Sequence, residues 1–293
     1  METAELLKKV RKIQIKTRRI SRHLFTGGYH SAFKGRGMSF SEVRQYQWGD
    51  DVRTLDWNVT ARTGEPHIKI FEEEREQTLL LLVDVSGSTA FGTRQQFKQE
   101  LLTEICAVLA FSALDNQDKV GAVLFSDHID LFIPPKKGLQ NMLRILRELL
   151  NVKPNNRGTD LAKALQFTRN ILRQHSVCFI LSDFLANNYE SPLRVMGKRH
   201  DCVGIHVWDI RERELPDVGL VQMLDAETGE SVWRDTTEPD FRKQYTRHFL
   251  ENTDHARRTF RQAGADFLSI ATHESYATAL LHFFEQRARL ISH

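Results

Sequence analysis

Leu79-Leu80-Leu81-Leu82-Val83-Asp84-Val85-Ser86-Gly87-Ser88 is an unbroken apolar run that delivers a carboxylate and two hydroxyls, at alternate positions, onto a turn. An apolar run without polar alternation reads as a strand covered on both faces, as in parallel sheets flanked by helices. The oxygens at its end are the beginning of a cation site. Magnesium is small and hard, takes about six oxygens near 2.1 Å and parts with water reluctantly, so few protein ligands suffice. Neutral Ser hydroxyls bind such an ion without cancelling its charge, which leaves it able to attract a carboxylate from outside. Alone, D-x-S-x-S is also the chemistry of an ordinary capped turn.

Two later segments add oxygens. Arg157-Gly158-Thr159-Asp160-Leu161 precedes an amphipathic helix carrying Leu161, Leu165, Thr168 and Leu172, so the Thr159 hydroxyl sits in a loop. Val177-Cys178-Phe179-Ile180-Leu181-Ser182-Asp183 is a second apolar run ending in an acid. Parallel strands finish on one sheet edge, where α/β sheets place ligands, so three loops can converge there.

With these three segments the chain resembles a von Willebrand factor A-type domain with a metal-ion-dependent adhesion site, whose five motif positions fall on Asp84, Ser86, Ser88, Thr159 and Asp183. The resemblance implies direct contact with the ion from Ser86, Ser88 and Thr159, with Asp84 and Asp183 acting largely through water. It implies Mg2+, with Mn2+ or Ca2+ as alternatives.

The preceding segment narrows the match. Ser31-Ala32-Phe33-Lys34-Gly35-Arg36-Gly37-Met38-Ser39-Phe40, Arg44-Gln45-Tyr46 and Gly49-Asp50-Asp51-Val52-Arg53-Thr54-Leu55-Asp56-Trp57 resemble the signature of bacterial domain-of-unknown-function family fifty-eight. Ala61-Arg62, Lys69, Phe71-Glu72-Glu73-Glu74-Arg75-Glu76 and Phe91-Gly92 continue it. Thr89 departs from it, standing where the family often has Met, which touches packing more than ligation. Such proteins are usually encoded beside MoxR-type AAA+ ATPases. The resemblance therefore implies an adaptor that binds a partner's Asp or Glu through the metal, the partner being a MoxR-type ATPase or its client. It supplies no reaction.

Composition bounds the rest. The 293 residues are expected to divide into 1–76, a basic helix with a β-rich signature region, and 77–293, an α/β domain. Lys plus Arg number 41 against 38 Asp plus Glu, a formal charge of +3, which argues against bulk nucleic-acid binding. Three cysteines, Cys106, Cys178 and Cys202, lie in apolar stretches, as expected of a reducing compartment. No apolar run approaches the roughly 18 to 20 residues of a membrane span. With no signal-peptide core either, the expectation is a cytoplasmic protein.

Lys8, Lys9, Arg11, Lys12, Lys16, Arg18, Arg19 and Arg22 interleave with Leu6, Leu7, Val10, Ile13 and Ile20, the pattern of a basic amphipathic helix. Packing on the body is its plain reading; a membrane surface, nucleic acid or an acidic partner are the alternatives, the first with the protein as a membrane-surface scaffold in peripheral membrane contact. Residues 25–76 read as loops and short strands, His67–Phe71 the clearest. The acidic run 72–76 reads as a solvated connection, with pairing to Arg36, Arg44 or Arg53 as the alternative. Gly27-Gly28 and Gly35-Arg36-Gly37 lack the order of a phosphate-binding loop.

From residue 77 strands and helices alternate, and a doubly wound sheet with helices on both faces is the consistent solution. Expected strands are 77–84, 120–125, 177–182, 202–208 and 267–270. Ile129–Ile133 is expected as an antiparallel edge strand stopped by Pro134-Pro135. Expected helices are 94–114, 138–150, 160–174, 239–262 beginning at Pro239, and 275–288. Residues 219–234 read as a hairpin about Glu227-Thr228-Gly229-Glu230, either a sheet extension or a docking ridge.

The same residues argue against an enzyme. H-E-x-x-H and G-x-S-x-G are absent, the twelve His form no ligand cluster, and Cys178 and His206 lie in apolar strand runs. A metal-assisted phosphohydrolase is the alternative, weakened by the expectation that no Lys, His or further carboxylate stands at the site for proton transfer.

Overall fold

The computed structural model describes Ile13, Thr17 and residues 39–72, 77–90, 97–152, 158–224 and 231–291. The chain divides into two units, one within 34–76 and the other comprising 77–293 together with what precedes residue 34.

The small unit holds β1 (Ser39–Gln45), α1 (Trp57–Thr63) and β2 (His67–Glu72). β1 and β2 pair antiparallel with a bulge between Phe40 and Glu42. Asp56 starts α1 by accepting the Asn58 and Val59 amides, and Gly64, at φ 78°, ends it in the left-handed conformation that favours glycine. Arg44 forms a two-bonded ion pair with Asp50, at 2.8 Å for each bond. Residues 73–76 and both Gly-rich segments lie outside the described residues.

The large unit runs β3 (Thr78–Asp84), α2 (Lys98–Asp115), β4 (Lys119–Phe125), β5 (Ile129–Lys136), α3 (Leu139–Asn151), α4 (Leu161–Ile171), β6 (Val177–Ser182), α5 (Glu190–Arg199) and β7 (Asp201–Trp208). It continues with α6 (Ile210–Arg213), β8 (Leu220–Leu224), β9 (Ser231–Asp235), α7 (Pro239–Gln262), β10 (Asp266–Ala271) and α8 (Tyr276–Ile291). Six strands form one sheet in the order β10-β7-β6-β3-β4-β5, parallel except for the antiparallel edge strand β5. The order reverses at β3, beside β6, which makes the carboxyl end of β3 the switch point where α/β sheets bind ligands.

The opening apolar run is explained by its two faces. Leu79, Leu81 and Val83 pack with α2, α3 and α8, whereas Leu80 and Leu82 pack with α4, α5 and α7. All five are at most 1% exposed, each contributing about 1.5–3 kcal/mol of burial. Gly204 on β7 lets α7 approach: a Cβ there would lie 2.5 Å from Phe260 Cε1.

Two expectations change. Pro134 and Pro135 do not stop β5, which continues to Lys136, because a sheet edge tolerates residues without an N–H. Gly121 opposite is what admits them, since a Cβ there would meet the Pro135 nitrogen at 2.8 Å. The 219–234 hairpin does not extend the main sheet; β8 and β9 form a separate two-stranded sheet. Every residue of β9 is exposed.

Of the basic helix expected in 1–76, only Ile13 and Thr17 lie within the described residues. Both are helical, Thr17 Oγ1 donates to Ile13 O at 2.7 Å, and Ile13 packs against the sheet core of the large unit, an apolar side chain taking apolar neighbours. No helix among the described residues is long and apolar enough to cross a membrane.

Candidate functional site

The carboxyl edge of the sheet gathers four of the five sequence-predicted residues. Asp84, the last residue of β3, is 1% exposed and Ser86 is fully buried. Asp84 Oδ1 accepts the Ser86 amide at 2.9 Å, and its Oδ2 accepts the Ser182 hydroxyl at 2.7 Å. The Ser86 and Ser88 hydroxyl oxygens are 3.1 Å apart, and Ser88 is close enough to Asp183 to help hold its carboxyl down. Thr159, the fifth, stands on the loop before α4. That loop is tied to the neighbouring strand end by the Asp160 amide donating to Ser126 O at 2.8 Å, while the Val85 amide donates to Phe125 O at 2.9 Å. The Thr159 hydroxyl is buried without a hydrogen-bond partner among the described residues. A buried hydroxyl left unsatisfied costs free energy, which a bound water or ligand would relieve.

The turn after β6 is held under strain. Phe184 has φ 56°, a conformation costly for a large side chain. Its ring is locked among aromatics, with Phe260 at 5.0 Å, Phe267 at 5.7 Å and Tyr189 at 6.3 Å between centroids. Packing of the ring thereby directs the Asp183 carboxylate of the preceding residue into the site.

Sequence reasoning missed the cation already there. Lys98, the first residue of α2, is 1% exposed; its Nζ lies 3.2 Å from Asp183 Oδ2 and 2.7 Å from Glu212 Oε1. Glu212 Oε2 accepts the Asp209 amide at 2.7 Å, completing a capping box that fixes α6. The expectation of no further Lys or carboxylate at the site is therefore corrected. Residue 98 carries no reading of its own in the expected helix 94–114, yet it falls three and four positions before Leu101 and Leu102, on a helix with most of its residues buried. That spacing was the available signal. His206 also approaches, closely enough for the Asp183 charge to act on it, but burial draws its pKa down to about 4 and leaves the ring neutral.

The charges follow from burial and from one another. Desolvation, then the neighbouring Asp183 charge, pushes Asp84 up to about 6. Burial works against ionised Asp183 too, but the Lys98 ammonium holds it below the usual carboxylate range. Burial raises Glu212, and although burial alone would lower Lys98, Asp183 and Glu212 together raise it. Asp183 and Glu212 thus share one ammonium, with Asp84 close enough to Asp183 for their charges to repel; among these described groups, two negative charges are left over when all three carboxylates are ionised. Asp209, behind Glu212, accepts the Thr272 hydroxyl at 2.7 Å and lies outside this count.

The donor set fits a hard divalent cation. Hydroxyls and carboxylates suit magnesium, manganese or calcium, and two missing positive charges match their valence. No group of three or more His, Cys, Asp or Glu that could hold a metal ion occurs among the described residues, so ligation of a cation here would rest on the hydroxyls as well. Beside the site a cavity of about 210 Å³ is lined by Asp183, His206, Glu212, Tyr245, Phe249 and Asn252, among others.

A parallel sheet reversed at β3, closed by one antiparallel edge strand and carrying its hydroxyl-rich turn at the switch point, is a von Willebrand factor A-like fold. The profile of the family described as Protein of unknown function DUF58 matches residues 42–255, and the chain belongs to that family. Uncharacterized protein Rv1480 of Mycobacterium tuberculosis is 34% identical over 266 residues, covering 90% of this chain and 84% of that protein. Uncharacterized protein YeaD of Bacillus subtilis is 32% identical over 109 residues, covering 37% of this chain and 25% of that protein. Among solved structures, the conserved hypothetical protein BatB from Bacteroides thetaiotaomicron aligns with TM-score 0.48 and 15% identity over 73% of this chain and 99% of that one. The SpRpn10 VWA domain aligns with TM-score 0.40 and 12% identity over 71% of this chain and 95% of that one.

Proposed function

We propose that this protein is a metal-dependent protein-binding adaptor, in which Asp84, Ser86, Ser88, Thr159 and Asp183 hold a divalent cation, magnesium first among them, that accepts an Asp or Glu from a partner. The observation that carries this reading is the charge deficit among the described residues: Asp84 and Asp183 are buried with one ammonium between Asp183 and Glu212, and the hydroxyl of Thr159, on the loop tied to the end of β4, is buried with no partner there. Buried carboxylates without countercharge destabilise a fold unless something binds them.

Each residue has a task. Both Asp84 oxygens already accept hydrogen bonds, from the Ser86 amide and the Ser182 hydroxyl, which suits a carboxylate that acts through water. The Ser86, Ser88 and Thr159 hydroxyls supply neutral oxygens. When bound, the ion supplies a Lewis-acidic position for an outside carboxylate. The family resemblance points to a MoxR-type AAA+ ATPase or its client as that partner, with this chain acting in assembly or maturation of other proteins.

Affinity capture from cell extract in magnesium, in chelator, and with Asp84→Ala/Ser86→Ala tests the reading. Capture that depends on magnesium and disappears in the folded double variant supports it; equal capture in chelator overturns it. The phosphohydrolase reading is weaker, because Lys98 is engaged by two carboxylates and the neutral His206 is hydrogen-bonded to Ser269 at 3.1 Å. A phosphatase assay with and without magnesium discriminates it.

A further inference from the structure

We propose that Lys98 and Glu212 are a built-in charge pair that sets how tightly the site takes its cation, Lys98 weakening the ion and Glu212 strengthening it. This rests on the ion-site reading above and extends it to residues outside the five motif positions.

Geometry makes Lys98 a competitor. Asp183 presents Oδ2 to the ammonium at 3.2 Å, while Oδ1 accepts the Leu185 amide at 3.4 Å. The oxygen that Lys98 holds is therefore one that a cation beside Ser88, close enough to Asp183 to help hold its carboxyl down, would have to compete for. At 1% exposure the ammonium has almost no water around it, so its charge acts across the site at low dielectric. It cannot swing away, because it belongs to the first turn of α2 and the 2.7 Å contact with Glu212 pins it. Glu212 is itself held by the Asp209 amide at 2.7 Å.

The pair also balances. With a divalent cation bound, the two positive charges of the ion and that of Lys98 equal the negative charges of Asp84, Asp183 and Glu212. Removing Lys98 alone leaves the occupied cluster negative, and removing the Glu212 charge alone leaves it positive. Removing both restores neutrality with neither residue present. A residue that merely braced the loop would instead lose affinity with each change, the losses adding.

Calorimetric titration of the full chain with magnesium chloride, repeated with manganese chloride, reads these signs directly. Lys98→Met is expected to tighten binding about tenfold or more, and Glu212→Gln to weaken it by a similar factor, as a unit charge acting in a buried site requires. The double variant is expected within about threefold of the unchanged protein, the two charge effects cancelling. Circular dichroism checks the fold of each. Should Lys98→Met not fold, Lys98→Gln, which keeps a donor toward Asp183 while removing the charge, must give the same sign. Weaker or unchanged binding on neutralising Lys98, or additive losses in the double variant, overturns the proposal while leaving the ion site standing. If the unchanged chain takes up neither cation, the ion-site reading falls and this inference falls with it.

Discussion

The two edges of the central sheet carry similar residues and solve opposite problems. At the amino edge, Asp201 and Asp266 open β7 and β10, and Arg287 from α8 bridges both. There the Asp266 side chain is 49% exposed, so solvent screens whatever the guanidinium does not. At the carboxyl edge Asp183 and Glu212 share Lys98 beside Asp84, and the Lys98, Asp183 and Glu212 side chains are 1%, 6% and 22% exposed. The lesson is that acidic clustering alone marks no site. Exclusion of water is what makes a charge deficit costly.

Substitutions at the two edges should therefore separate in size and sign. The largest stability effect is expected from Asp183→Ala, which strips Lys98 of one partner inside a dry cluster and should destabilise the ion-free protein by about 3 kcal/mol. Urea unfolding in chelator measures it, and a loss no larger than that at the amino edge would break the contrast. His200, at the amino edge, comes next. Burial, with help from Arg199 and His175, depresses its pKa from 6.5 to about 4, and neither ring nitrogen has a partner among the described residues. The unfolded chain therefore takes up a proton below pH 6.5 that the fold refuses until about pH 4, so stability falls as pH falls through that window. His200→Leu should remove roughly 2 kcal/mol of that acid-side loss, seen in unfolding free energies collected across the window.

Smaller in size but opposite in sign is Asp84→Asn. Its folded pKa of about 6 lies above the ordinary 3.8, so ionising it opposes folding above pH 4, fully so above pH 6. The variant should stabilise the chelated protein by about 1–2 kcal/mol at pH 8 and erase any magnesium-induced rise in melting temperature. A destabilised variant would show that Asp84 is adequately satisfied without an ion. Arg287→Ala is expected to be the least costly, about 1 kcal/mol or below and fading with added salt, because its partners are partly solvated. Melting curves at low and high salt check it.

Much of the scaffold was legible because it follows local rules. The run Leu79–Val83 could only be a strand covered twice, and Pro239, tolerated in a first helical turn, does open α7. The carboxylates at 84 and 183 were legible as acids ending such runs. Ser182 was in view but without its role, which needs Asp84, 98 positions away in the chain. Lys98 and Glu212 stand 114 positions apart and make no pattern together. Pro134-Pro135 misled for a related reason: whether a proline ends a strand depends on having a neighbour to bond, and β5 is an edge.

By itself, then, the sequence determined the layered α/β order, the family, and the three segments whose oxygens end at one sheet edge. Apolar periodicity and turn chemistry are written in neighbouring residues, and the family signature in their order. Only the tertiary structure decided that those oxygens are closed off from water, that a lysine stands among them, and that the carboxylates there outnumber it. Burial and charge balance are sums over groups brought from distant parts of the chain, and no local stretch contains the sum.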